Sequence, residues 1–494
     1  MDDIAAPGNP PLGAQPGATL APAAVRQIIV GIMLAMILGA IDQTIVATAL
    51  PTVGNDLGDL VHLPWVVTAY LLSGTAVTPL YGKFADIVGR RKVLLTAITI
   101  FVAASVLSAM ARTMWLLIFA RFLQGLGGGG LIALGQTVIG DVVVPRERMR
   151  YQAYFAAVFV TASIAGPVLG GFFAERLHWS FIFWINLPLG ALAFIMTNGV
   201  LKRLPRNERP HRIDVIGAIL MVAATVALLL ALSWGGDAYP WRSTQVVGLI
   251  VVSVVAWALF ILRQLTVDEP FVPLSVMFHP VVAAATASNF FVVGTSVALT
   301  IYVPIYFATV LHMTASQSGL ALIPFVGGSV AGAQIAGRVM MWTPHYKSTP
   351  AIGLAIAIIA TAVLAATSTA LSLWQTEVLL TIIGISFGTI FPVTTVSVQN
   401  AVEPHQLGTT TAAYNFFRSL GSAIFVAVLG AIFIGELGVG GQSIGSVDAL
   451  IAAAARQGTA IGPAFHYVFG AAAVTLTLGY LCLLAMKELP LKGR

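Results

Sequence analysis

The chain has 494 residues, 58% of them hydrophobic and only 9% charged, whereas a typical soluble chain carries about 25% charged residues; water is excluded as its main surroundings. Its net charge of +6 comes without a basic stripe interleaved with aromatics, which excludes a nucleic-acid partner. The one cysteine, Cys482, lies in the last apolar run and excludes both an intrachain disulfide and a thiolate metal site.

Residues 1–27 are rich in Pro, Gly and Ala and lack the basic start and cleavage site of a signal peptide; a disordered tail is expected there. About 20 apolar residues cross the hydrocarbon layer. Stretches of that length, bounded by charged or turn-forming residues, predict fourteen spans at 28–50, 64–82, 93–111, 114–135, 151–173, 181–201, 213–233, 244–263, 281–308, 316–341, 351–370, 377–399, 409–433 and 465–486. The break at 111–114 rests on Arg112 alone, because an unbroken helix there would far exceed the bilayer thickness. Lys and Arg are retained in cytoplasmic loops. With the N-terminus inside, only Arg112, Arg176, Arg242 and Arg456 fall outside, and Arg121 and Arg418 fall within spans. Both termini, including the tail 487–494, are therefore expected in the cytoplasm, with the protein multi-pass in the plasma (inner) membrane. The basic loop 202–212 and the glycine-rich loop 434–464 fit opposite sides, and 448–456 reads as an amphipathic stretch or a loosely ordered loop on the outer face.

Ionisable residues inside spans are expensive and mark candidate sites. Asp42 lies roughly 21 Å along the first span, and Arg121, on a span running the other way, sits at nearly the same depth. One polar cavity for both is expected, whereas direct pairing is not fixed by depth alone; the bland alternative is that Asp42 only locks the bundle. Arg418 follows Asn415 by three residues on a similar helix face, and cavity lining and helix packing stand even. Glu377 begins its span near the outer surface, where a carboxylate snorkels cheaply. Asn289, Gln399 and Asn400 serve either a cavity or interhelical hydrogen bonds. In the short loop Gly82-Lys83-Phe84-Ala85-Asp86-Ile87-Val88-Gly89-Arg90-Arg91-Lys92, a positive-inside anchor explains the basic residues. It does not explain Asp86, which can accept hydrogen bonds from arginine or from a helix start and latch neighbouring helix ends. Gly166-Pro167 with Gly170-Gly171 suits a bend or a sealed helix contact. The run Gly127 to Gly130, and the Gly125 to Gly129 spacing, suits a close backbone crossing.

These strings together resemble the major facilitator superfamily, and most closely its fourteen-helix drug:proton antiporter subfamily, over residues 28 to 486. The Gly82 to Lys92 string is similar to the family's loop signature, with Asp86, Gly89, Arg90 and Arg91 at matching positions. Asp42-Gln43-Thr44-Ile45-Val46 resembles the first-helix signature, Arg121 with Gln124-Gly125 the fourth-helix motif tied to proton coupling, Gly166-Pro167 and Gly170-Gly171 the antiporter motif of helix five, and Asn186-Leu187-Pro188-Leu189-Gly190 the sixth-helix string. In the second half, Gly328, Gly332, Gly337 and Arg338 give only a degenerate echo of the loop signature, without an acidic residue.

The resemblance implies an all-α polytopic fold with a six-helix bundle at 28–201, a linker with two extra helices at 202–263, and a second six-helix bundle at 264–486 around a central cavity. It implies export of a hydrophobic compound, with a limited cation preference from Asp42 and Glu377, in exchange for protons. Coupling falls to Asp42 and Arg121; gating falls to the loop and to the Gly166–Gly171 string. Gln43, Gln124, Asn289, Glu377, Asn415 and Arg418 are the candidate cavity or substrate residues. Protons, an amphipathic small molecule and membrane lipids are the expected partners, the monomer the functional unit, and no cofactor is needed. Lipid or metabolite export is the alternative, ahead of a passive channel or a membrane enzyme. No His-x-x-x-His pair and no Gly-rich Lys-Ser/Thr nucleotide loop occurs in the chain.

Overall fold

A backbone surrounded by hydrocarbon must satisfy its own hydrogen bonds, which leaves apolar runs without edge partners only the helix. The computed structural model describes residues 22–59, 62–143, 145–202, 214–236, 238–267, 274–343, 345–437 and 461–491, and among them helices dominate. They are α1 (Pro22–Leu57), α2 (Trp65–Val88), α3 (Arg90–Ala109), α4 (Met114–Val142), α5 (Pro145–Arg176), α6 (Phe181–Trp184), α7 (Asn186–Leu201), α8 (Val215–Trp234), α9 (Thr244–Thr266), α10 (Leu274–Met277), α11 (Pro280–Thr309), α12 (Ala315–Ala321), α13 (Ile323–Trp342), α14 (Ser348–Thr367), α15 (Leu373–Ala401), α16 (Leu407–Leu437) and α17 (Ala464–Ala485). Thirteen described stretches are long and apolar enough to cross a membrane. The expected span at 64–82 is α2, 24 residues long but more polar, because Thr68, Tyr70, Ser73, Thr75, Thr78 and Tyr81 interrupt its apolar run.

The break expected near Arg112 is real: α3 ends at Ala109 and Thr113 caps α4 by accepting from the Leu116 N–H at 3.3 Å. The sixth and tenth spans are each interrupted once, at Ile185 and Leu322. The basic loop 203–213 and the segment 438–460, with the amphipathic stretch 448–456, lie outside the described residues.

Among the described residues two large hydrophobic cores form, one from residues 28–201 and one from 276–486. Each is tied by a close backbone crossing. In the first, α4 lies on α2: Ser73 donates to the Phe122 carbonyl at 2.8 Å, Thr78 to that of Gly129 at 2.9 Å and Tyr81 to that of Leu126 at 2.6 Å. A Cβ on Gly125 or Gly129 would run into the backbone of Tyr70 or Gly74, the expected reason for bare positions there. The second half repeats the device, with Gly328 and Gly332 of α13 against α15, and Gly384 and Gly388 of α15 against α13. Gly328 and Gly332, two of the glycines that echo the loop signature, thus serve packing inside one half. The extra pair α8 and α9 sits outside both cores. It touches α2 through Trp65–Trp234 (5.9 Å between ring centroids) and the Leu80 cluster, and α16 through Trp257–Phe416 (6.1 Å).

Candidate functional site

Midway along α1, Asp42 is fully buried, and so is Arg121 of α4. The equal depth expected from sequence becomes a direct ion pair, with Arg121 Nη1 at 2.6 Å from Asp42 Oδ2. Gln124, one turn along α4, donates to Asp42 Oδ1 at 2.8 Å and accepts from Arg121 at 2.7 Å. Asn186, at the start of α7, donates to the same Asp42 oxygen at 3.2 Å, and Ser105 of α3 accepts from both amides. Arg121 also donates to the Val66 carbonyl at 3.1 Å and stacks over Tyr70, 4.3 Å from the ring centroid. Helices α4 and α7 thus bond the carboxylate carried by α1, with α3 holding their amides, and the charge left on it is balanced by one guanidinium. Such a pair in an apolar interior gives little net stability, but it leaves a costly lone charge if either partner is lost or neutralised. Gln43, the next residue, is exposed. Sequence reasoning missed Ser105 and named Asn186 only as part of a resembling string; a polar residue inside an apolar span was the available signal.

Some turns away, at the end that carries the C-terminal residues, the two halves are joined by hydrogen bonds. Asp86 accepts from the backbone N–H groups of Gly408 (3.2 Å) and Thr409 (2.6 Å) and from the Thr409 hydroxyl (2.6 Å), all at the start of α16. It also pairs with Arg90, which reaches Asp141 at 2.8 Å. A carboxylate on the first N–H groups of a helix meets both unpaired donors and the positive end of the dipole. Gly82 makes this approach available, since a Cβ there would strike Gly408 and Ala412. Gly89 ends α2 at φ 97°, a left-handed turn that favours glycine. Arg91 has a different task from its neighbour: it donates to Asn198 of α7 at 2.6 Å, inside its own half. Further along α16, Asn415 donates to Gln136 of α4 at 2.7 Å, and Gln399 of α15 to the Gln136 carbonyl at 3.3 Å. Gln136, missed in the sequence although it is the second amide of a largely apolar α4, is thus the first half's share of a second, uncharged seal. In the first turn of α5, Arg148 donates to the Val143 carbonyl at 2.7 Å, and burial pushes its guanidinium down to about 10 despite Asp141 nearby, which raises it.

The remaining candidates separate. Arg418 is half-buried, with its Cζ 5.6 Å from the Phe391 ring centroid; its Nε is buried without a partner, and it forms no ion pair among the described residues. Asn289 is fully buried, and neither of its amide atoms has a partner among the described residues. Glu377 is half-buried near the start of α15, and Asn400 is tied to the Pro490 carbonyl at 3.1 Å. Gly166 and Gly170 face α1, where a Cβ would meet Thr44, Ile45 or Thr48, whereas Gly171 faces open space; Pro167 shares their helix, α5. The close contact is within the first half, so Gly166→Ala should cost about 1–3 kcal/mol by overpacking and Gly171→Ala almost nothing. Thermal unfolding of the two purified variants checks the contrast, and equal stabilities would mean that the α1–α5 contact yields freely.

The model of the family described as "Major Facilitator Superfamily" matches residues 32–426. The chain is 34% identical over 415 residues to the "Multidrug transporter protein MdtP" of Bacillus subtilis (strain 168), covering 82% of this chain and 74% of that one. It is 31% identical over 419 residues to the "Efflux pump FUS6" of Gibberella fujikuroi (strain CBS 195.34 / IMI 58289 / NRRL A-6831), covering 82% and 74%. In fold it is similar to a bacterial homologue of the iron transporter ferroportin, with a TM-score of 0.63 at 11% identity over 93% of this chain and 98% of that one.

Proposed function

The chain belongs to the Major Facilitator Superfamily, and from that premise we propose that it is a proton-coupled exporter of apolar or amphipathic compounds working by alternating access. It is a multi-span membrane transporter rather than an enzyme. Relatives named for multidrug transport and efflux support the outward direction. The observation that carries proton coupling is the fully buried Asp42, whose charge one guanidinium balances. Protonating it would remove that balance and free Arg121 to re-pair, which gives the two halves a reason to change their arrangement when a proton arrives. The end bearing Asp86 is the cytoplasmic one in this reading, by the weight of its basic residues, and this conformer is closed there by the Asp86–α16 latch. No cofactor is required, the monomer suffices, and the site lies in the plasma membrane.

Sealed liposomes carrying the purified chain test this. An imposed proton gradient should drive an apolar dye against its own gradient, with protons moving the opposite way. Dye that merely equilibrates, with no proton movement, would remove coupling from the proposal.

A further inference from the structure

We propose that Arg418 reads the charge of the cargo, binding an anionic group such as a carboxylate on an apolar body; this rests on the exporter reading above. Its place comes from following α16 away from the closed end. Residues 408 and 409 form the latch with Asp86, and Asn415 forms the neutral seal with Gln136. Arg418 stands one turn further, about 15 Å along the helix from the latch. Its direction lies between those of Asn415, which faces α4 of the other half, and Tyr414, which bonds Thr394 of α15 at 2.7 Å. Asn415 is buried, whereas Arg418 keeps part of its side chain accessible. The guanidinium therefore sits one turn beyond the seal, and is partly accessible there.

No acidic side chain answers it among the described residues. Asp42 is held by Arg121, and Asp86 and Asp141 by Arg90. The same pairings change the expected cargo: a fully buried Asp42 that accepts from Arg121, Gln124 and Asn186 offers no free carboxylate to a cation in this conformer. A guanidinium desolvated in mid-span with an unpartnered Nε is a poor packing residue, since an apolar side chain of its size would fit at less cost. Its planar fork matches a carboxylate through two parallel N–H bonds. Phe391 beside it, partly exposed and packed on the buried Tyr414, supplies the flat apolar wall that an aromatic or acyl body would lie on.

Binding to the purified full chain in detergent, which needs no gradient, tests the idea with three probes on one body: 2-naphthoate, 2-naphthamide and (2-naphthylmethyl)trimethylammonium. Wild type should hold the carboxylate at least about tenfold tighter than the amide, the range of a charge-assisted hydrogen bond. Arg418→Gln should erase that preference while amide affinity changes less than about twofold, and Arg418→Lys should retain part of it. A wild-type protein that prefers the ammonium probe, or does not bind the carboxylate, overturns the proposal. So does an Arg418→Gln protein that loses all three probes equally, or keeps the carboxylate preference. A chain that selects the carboxylate but fails to move it against a gradient in liposomes would count against export, and leave the reading of Arg418 standing.

Discussion

Asp42→Asn is expected to abolish proton-driven accumulation and, at the same time, to destabilise the protein. The substitution keeps the shape of the side chain but removes the charge that balances Arg121, and it turns one acceptor into a donor facing Gln124 and Asn186. Leaving a buried guanidinium uncompensated costs about 3–5 kcal/mol. The double variant Asp42→Asn with Arg121→Gln should recover much of the stability, since no lone charge remains, yet stay uncoupled because the site no longer has a carboxylate to take up the proton. Thermal unfolding reads the first effect and proton flux in liposomes the second. Accumulation at the wild-type level in either variant would take the proton from Asp42. A single variant as stable as wild type would mean that water or another group reaches Arg121.

Asp86→Ala should slow the transport cycle by at least about tenfold and open the basic end. Three acceptor bonds from Gly408 and Thr409 disappear at once, and each hydrogen bond to a charged group contributes about 1.5–3 kcal/mol. Every 1.4 kcal/mol moves a two-state population about tenfold, so a loss of this size is enough to invert a balanced equilibrium between closed and open. Asp86→Glu should recover only part of the effect, because the longer arm displaces the carboxylate from the helix start. Thr409→Ala should be milder, since it removes the hydroxyl and leaves both N–H groups. Spin labels at Val88 and His405, in a Cys482→Ser background, report the separation directly. Unchanged distances together with unchanged flux in Asp86→Ala would reduce this carboxylate to a moderator of its basic loop. The partner of Asp86 is the start of α16 rather than the segment after Arg338, which is exposed at the end of α13, so labels placed there would miss the contact.

Hydrophobic run length placed the helices in their order from the sequence alone: of the fourteen expected spans, thirteen are matched by described stretches long and apolar enough to cross a membrane, and the more polar α2 stands at the remaining place. That signal is local: a helix in hydrocarbon needs no neighbour to satisfy its backbone. The same locality made Asp42, Arg121 and Asp86 visible, because a charge inside or beside an apolar run is costly wherever the run ends up. Which charges meet was decided only by the tertiary structure. Depth along two helices allowed Asp42 and Arg121 to meet, but the rotation that brings Nη1 to 2.6 Å follows from the Gly125 and Gly129 crossing with α2 and from the way Gly166 and Gly170 seat α5 on α1. The latch partner was equally out of reach. It consists of backbone N–H groups at Gly408 and Thr409, which every residue except proline carries, so no side-chain pattern could announce them. Arg418 was legible as an intramembrane charge. That it stands above the seal without an acidic partner among the described residues, while Arg121 and Arg90 have theirs, depends on how the other helices are placed, and a sequence carries that only through packing.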